Sequence, residues 1–288
     1  MVIIMDIKIV KHGNHAVNSD TDGYMYNFNT SMGSDFSLHI HTCFEFIHII
    51  HGKLLYKVEN SEYMLSDGDF IMTKPDEFHS FSFPEECEYQ REFLHIYPGF
   101  LKNYPEILES LQTRKSGYFN RIPADVVEKY GINRIFRDIE KCCAEPVEET
   151  DFMMLTYTLQ LAVKIKQILR SETPENQRIP AQSKANVICS YIDAHFMEDI
   201  SLEEIAKSVF MSPSHTSRLF KQETGMTIKS YLTMRRIRKA KNMIMEGHKT
   251  MSVFVDCGFS DYSTFYRAFM KIVGMSPDKF KQQQTKKI

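Results

Sequence analysis

The chain has 288 residues, 43% hydrophobic and 25% charged, a composition that predicts a soluble protein with room for two domains. No apolar run reaches bilayer-spanning length, and the opening MVIIMDIKIV lacks a signal-peptide cleavage pattern, so neither a membrane partner nor export is expected. The net charge of −2 hides an asymmetry: residues 183–288 carry 17 Lys+Arg against 10 Asp+Glu, while the residues before them carry 18 against 27. A basic module behind an acidic one predicts nucleic-acid binding by the former alone. The six cysteines, at 43, 87, 142, 143, 189 and 257, show no C-x-x-C and no framework spacing, which fits thiols of a reducing cytoplasm.

Residues 1–100 read as strands. Residues 24–28 and 63–65 alternate, 44–50 form an apolar run suited to a strand buried on both faces, and His51-Gly52 turns the chain into 53–59. Short strands punctuated by Gly, Pro, Asn and Asp predict a small β-barrel or jelly roll. Beyond Tyr104 the apolar period lengthens. Helices are expected over 105–111, 123–143 and 149–170, with Phe152, Leu155, Leu159, Ala162, Val163 and Leu169 on one broad face of the last. The stretch SETPENQRIPAQS is polar and aperiodic and reads as a linker.

The C-terminal third begins with a helix over 183–197. Ser201 and Glu204 then form a capping box, and Ser212-Pro213 restarts a helix that runs to Gly225. A basic helix from Ile228 to about Glu246 follows, with Arg235, Arg236, Arg238, Lys239 and Lys241. The pattern then repeats. A shift of 49 lays Arg218 on Arg267, Phe220 on Phe269 and Gly225 on Gly274, whereas the earlier halves match at 48, Ser212 falling on Ser260. Each copy therefore opens on a serine suited to capping, and the second has one extra residue near the start of its final helix.

Two such copies read as helix-turn-helix units, in which the second helix enters the major groove and Arg meets guanine with its planar fork. The joining helix of roughly 19 residues spans about 28 Å, close to the ~34 Å between successive major grooves on one DNA face. The run ISLEEIAKSVFMSPSHTSRLFKQETGMT, with CGFSDYSTFYRAFMKIVGMSPDKF, resembles the DNA-binding region of AraC/XylS-type transcription regulators. That resemblance implies base-facing positions at Ser214, His215, Ser217 and Arg218, with Lys221 nearer the phosphates. In the second unit it implies Tyr262, Ser263, Thr264, Tyr266 and Arg267. Leu219, Phe220, Phe265 and Phe269 read as core, and the basic run 235–241 as partly a solvated face. Two departures stand out: Phe210 replaces the family's turn glycine in the first unit, and Phe254 replaces its small residue in the second. A positive φ at Phe210 would cost roughly 1–2 kcal/mol, and the two units are expected to read DNA unequally.

Gly33, His39, His41, Glu45 and Gly52 follow G-x5-H-x-H-x3-E-x6-G, and Gly68, Pro75 and His79 come after them. This resembles the cupin barrel found in sensory domains of AraC-type regulators, although P-x-x-x-H is one residue shorter than the enzyme form. The favoured occupant is a small polar effector held by His39, His41, Glu45 and His79, with no cofactor required. A divalent metal on the same four residues is the alternative, and histidines that only fill the barrel mouth are the third reading. Phe44, Phe46, Tyr56, Phe78, Phe81 and Phe83 could stack on a sugar or simply form core, and His48 and His51 are placed on the outer face or in the turn.

The expected fold is α+β: a cupin-like barrel over 1–103, a helical dimerisation region over 104–170, a linker over 171–182, and an all-α DNA-binding domain with two helix-turn-helix units over 183–288. The expected function is a cytoplasmic, effector-controlled transcription regulator, more an activator than a repressor, with carbohydrate as one effector class. Its partners would be double-stranded promoter DNA, a small molecule, a second copy of itself and, for an activator, RNA polymerase. The alternatives are a metal-dependent cupin enzyme with an accessory helical domain and a regulator controlled by a protein partner.

Overall fold

The computed structural model describes residues 17–18, 24–172, 179–180 and 183–285. Tertiary contacts divide the chain into two compact bodies that part after Pro180. None of the described helices is long and apolar enough to cross a membrane.

The N-terminal body opens with β1 (Val17–Asn18), β2 (Tyr24–Met32), β3 (Phe36–His39), β4 (Phe44–His51), β5 (Leu54–Val58), β6 (Ser61–Leu65), β7 (Phe70–Thr73), β8 (His79–Ser82) and β9 (Glu88–Ile96). After a 3-10 turn come α1 (Pro105–Gln112), β10 (Arg121–Ile122), α2 (Ala124–Tyr130), α3 (Ile132–Ala144), α4 (Thr150–Ser171) and β11 (Ile179–Pro180). The strands form two antiparallel sheets, ordered β1-β2-β9-β4-β7-β10 and β11-β6-β5-β8-β3. Part of the expected linker is thus a short strand on β6, with Ile179 opposite Glu62. The other linker residues, 173–178 and 181–182, lie outside the described set.

Side-chain alternation sorts the first sheet into two faces. Phe44 and Phe46 on β4, Tyr24 and Tyr26 on β2, and Leu94 and Ile96 on β9 join one core with Phe136, Leu161 and Ile165 of the helices. Ile47 and Ile49 on β4 and Tyr89 and Phe93 on β9 join a second core with Tyr56, Leu65 and Phe81. Residues 44–49 are accordingly all buried, as a strand with two covered faces requires. The six aromatics expected as one set divide: Phe44 and Phe46 face the helices, whereas Tyr56, Phe81 and Phe83 belong to the inner cluster.

The helix expected over 123–143 is two helices. Gly131 adopts φ 73°, caps α2 and starts α3, so the chain turns where the apolar period continues. On α4 the expected broad face also splits. Met154, Leu161, Ala162, Ile165 and Ile168 are buried on the N-terminal body, while Phe152 and Val163 point outward, Phe152 being 69% exposed.

The C-terminal body comprises α5 (Lys184–His195), α6 (Leu202–Ser208), α7 (Pro213–Thr224), α8 (Ile228–Met245), α9 (Thr250–Asp256), α10 (Tyr262–Val273) and α11 (Pro277–Thr285). The capping box forms as the sequence implies: Glu204 N donates to Ser201 Oγ, and Ser201 N donates to Glu204 Oε2 at 2.7 Å. Ser212 caps α7 by accepting from His215 N. In the second unit the cap is Asp261, whose carboxylate accepts from Thr264 N at 2.8 Å, and not Ser260. The extra residue therefore sits in the turn between α9 and α10, which carries both a serine and a better-placed acceptor.

Candidate functional site

The N-terminal candidate is built around Glu45 on β4. Its Oε1 accepts from His95 Nε2 at 2.9 Å and lies 3.7 Å from His41 Nε2. Its Oε2 accepts from the Tyr56 hydroxyl at 3.0 Å and lies 3.2 Å from His79 Nε2. The His39 ring completes the group, centred 4.1 Å from His79 and 4.9 Å from His41. All four residues singled out in the sequence converge. The turn 75–79 delivers His79 although it is one residue short, because Asp76 takes φ 63° and donates its N–H to the His41 carbonyl.

His95 belongs to the same group and was not anticipated. It follows no motif, but Tyr89, Arg91, Phe93 and His95 alternate along β9, and register places His95 opposite Glu45. His48 lies on the helix-facing side, bound to Glu92 and centred 5.8 Å from Phe136, and His51 is the exposed last residue of β4, bound to Asp67.

Electrostatics fix the protonation states. Burial opposes ionisation of Glu45, yet the imidazoles of His79, His95 and His41 outweigh it and hold the carboxyl well below its usual range. Burial, reinforced by the neighbouring imidazoles, pushes His39 down to about 2 and His41 to about 3. Burial and the Glu45 charge hold Tyr56 well above 10, so it stays a donor.

Hydrogen bonds also set the tautomers. His39 Nδ1 contacts the Ser37 carbonyl at 2.7 Å, and His79 Nδ1 contacts the Glu77 carbonyl at 2.8 Å. A carbonyl only accepts, so each ring donates from Nδ1; the neutral His39 ring then presents a bare Nε2, whereas His79 Nε2 faces Glu45 Oε2 at 3.2 Å. His79 Nε2 is buried with no hydrogen bond of normal geometry. The cluster is therefore rich in acceptors and short of donors. Hydroxyl groups of a ligand would complete it, and so would a cation.

The donor set does fit a divalent metal. The ligand atoms of His39, His41 and His79 lie within 4.8 Å of one another, as do those of His41, Glu45 and His95. Nδ1 bonds to backbone carbonyls are the usual support for metal-binding imidazoles. On the other face of the sheet a cavity of about 10 Å³, lined by Phe44, Phe46, Leu111 and Leu169 among others, has room for about one water and is too small for an effector.

The second candidate surface lies on α7 and α10. Ser214, His215, Arg218 and Lys221 are exposed and Ser217 is half-buried. Ser263, Thr264, Tyr266 and Arg267 are exposed, while Tyr262 is half-buried, its ring centred 5.9 Å from Phe254 and 5.8 Å from Phe265. Thr264 is engaged by the Asp261 cap, and Arg267 donates to Thr264 Oγ1 at 3.4 Å. Phe220, Phe265 and Phe269 are fully buried, and Leu219 is only half-buried.

Arg235 and Arg236 of the basic run pack onto α5 and the turn after it. Arg235 pairs with Asp193, and Arg236 donates to the carbonyls of Phe196 at 2.7 Å and Glu198 at 2.8 Å, closing the end of α5.

Residues 205–283 match a family model described as a helix-turn-helix domain, and residues 25–151 match one described as an AraC-like ligand binding domain. The arabinose operon regulatory protein of Escherichia coli (strain K12) is 23% identical over 239 residues, covering 81% of this chain and 78% of that protein. The probable transcriptional regulator LumQ of Photobacterium leiognathi is 36% identical over 95 residues, 33% of this chain and 38% of its own length. Among solved structures, a DNA-binding transcriptional dual regulator from Escherichia coli K-12 aligns over 36% of this chain and 94% of that one, at 25% identity and a TM-score of 0.34. The two curated relatives are described as regulators, and this chain carries an AraC-like ligand-binding domain ahead of an AraC-type helix-turn-helix domain.

Proposed function

We propose that a small hydroxylated effector binds at the acceptor-rich cluster of His39, His41, Glu45, His79 and His95 and so controls DNA binding. The observation that carries this reading is the convergence of imidazoles from β8, β9 and the β3–β4 connection on one buried carboxylate, with His79 Nε2 lacking a hydrogen bond of normal geometry. In the C-terminal body, Ser214, His215, Ser217 and Arg218, with Lys221 at the backbone, read one stretch of promoter DNA. Tyr262, Ser263, Thr264, Tyr266 and Arg267 read a second. Two copies pair through the outward stripe of α4 that includes Phe152 and Val163, and the effector shifts the population between arrangements of the pair. The protein acts in the cytoplasm, and contact with RNA polymerase follows if it activates.

The test is binding to the intergenic DNA beside its gene, measured by fluorescence anisotropy with and without candidate effectors. Glu45→Gln and His79→Ala should retain DNA binding and lose the response to effector. A variant that loses neither, or a binding curve insensitive to salt, removes the reading. A second reading keeps the same cluster but fills it with a divalent cation, favoured by the closeness of the His39, His41 and His79 ring nitrogens to one another beside the Glu45 carboxylate. Elemental analysis of protein purified without chelator decides it: metal at one per chain, lost in His79→Ala, supports the cation.

A further inference from the structure

On the inner face of β9, two positions before Phe93 and four before His95, stands a second polar group of opposite character. The Arg91 guanidinium lies 5.1 Å from the Phe81 ring centre, 5.2 Å from that of Phe93 and 5.8 Å from that of Tyr89. Among the described residues no carboxylate lies within ion-pair distance of it. Its Nε and the Tyr89 hydroxyl are both buried; the guanidinium and the hydroxyl contact each other, but neither atom has a hydrogen bond of normal geometry.

Arg91 is half-buried, and withdrawing part of a guanidinium from water is costly. Aromatic faces offset part of that cost, but they supply no acceptors. Arg offers five N–H donors and no acceptor, and its planar fork matches the two oxygens of a carboxylate. Arg91 and Tyr89 therefore form a donor-rich, acceptor-poor subsite, the inverse of the Glu45 cluster on the same inner face. Four residues of strand separate Arg91 from His95, about 13 Å between backbones, and the side chains can converge from there.

We propose that Arg91 and the Tyr89 hydroxyl bind a carboxylate group of the effector, which makes the effector a small hydroxylated organic acid and not a neutral sugar. This rests on the reading that the barrel takes the effector. The carboxylate fills the vacant acceptor role at Arg91, and the effector's hydroxyl groups donate to the imidazoles and to Glu45.

The test uses the full chain and matched pairs at constant ionic strength: galacturonate with galactose, glucuronate with glucose, and lactate with lactamide. Thermal unfolding and calorimetry read binding. At least one carboxylate should raise Tm by about 3 °C or more at saturation, and its neutral partner should not. Arg91→Gln should weaken that carboxylate 10- to 100-fold, about the worth of a charge-assisted contact, and Tyr89→Phe about 10-fold, with Arg91→Lys between wild type and Gln. Tyr89→Phe keeps both ring and charge, so it answers the question even if Arg91→Gln does not fold. The proposal is overturned if no carboxylate shifts the wild type, if neutral partners bind equally, or if the variants bind as the wild type does. A neutral sugar that binds with no dependence on Arg91 keeps the barrel as effector site and removes the carboxylate. A carboxylate that binds through Arg91 but leaves DNA affinity unchanged keeps this inference and removes the control function.

Discussion

The two helix-turn-helix units share a backbone and differ in why that backbone is possible. Both turns pass through the left-handed region, at Phe210 with φ 54° and at Gly258 with φ 80°. At Gly258 an added Cβ would meet the Met197 carbonyl oxygen at 2.7 Å and the Phe196 carbonyl oxygen at 2.8 Å, so neither the dihedral nor the space admits a side chain. Phe210 instead projects into solvent, 97% exposed, and meets only the dihedral cost. Phe254, the other departure, packs against Tyr262 and Phe265 in the second unit's aromatic core. A positive φ selects glycine strictly only where the space is also filled. Duplicated units can therefore drift at one turn and stay fixed at the other.

This contrast can be broken by mutation. Gly258→Ala should cost about 3 kcal/mol or more in thermal unfolding of the C-terminal body, since strain and a backbone clash add; a loss below about 1 kcal/mol would mean that the close approach to Phe196 and Met197, just after α5, is not maintained in solution. Arg218→Ala should weaken operator binding by about 2 kcal/mol and Arg267→Ala by nearer 1, within the range for a base-reading arginine. The asymmetry is expected because Arg267 bonds Thr264, itself held by the cap. Equal losses on every operator tested reject unequal reading. Phe210→Gly should stabilise the first unit by about 1 kcal/mol, the reverse of the Gly258 result, and a destabilised variant would show that the exposed ring makes a contact of its own. Ser201→Ala, which removes half of a capping box absent from the second unit, should cost about 1 kcal/mol; denaturant unfolding reads it, and an unchanged midpoint would make the box ornamental.

Much of this was legible in the sequence, because local chemistry decides it. The apolar run 44–50 announced a strand covered on both sides, and Ser201 with Glu204 announced a helix start. Of the four motif residues of the barrel, His39, Glu45 and His79 lie on strands whose period of two fixes their facing, and His41 joins them from the connection between β3 and β4. What escaped depends on partners distant in sequence. His95 joins Glu45 only through the pairing of β4 with β9, 50 residues apart. Arg235 and Arg236 belong to a basic stripe that looks free for phosphate until α5 packs beside it. Gly131 breaks a helix across which the apolar period runs on unchanged, and between Ser260 and Asp261 as cap only the register of the inserted residue decides.

The strand β9 carries one more consequence. Its odd residues, from Tyr89 to His95, line the inner face, while Glu92, Leu94 and Ile96 press on the other side, with Leu94 and Ile96 in the core shared with α3 and α4. Successive residues lie about 3.4 Å apart on one stiff backbone. No relay of side chains is then needed between the two faces: any guest that draws Arg91 or His95 inward moves the seat on which the helices rest. The strand acts as a wall with a tenant on each side, and a shift felt by one is felt by the other.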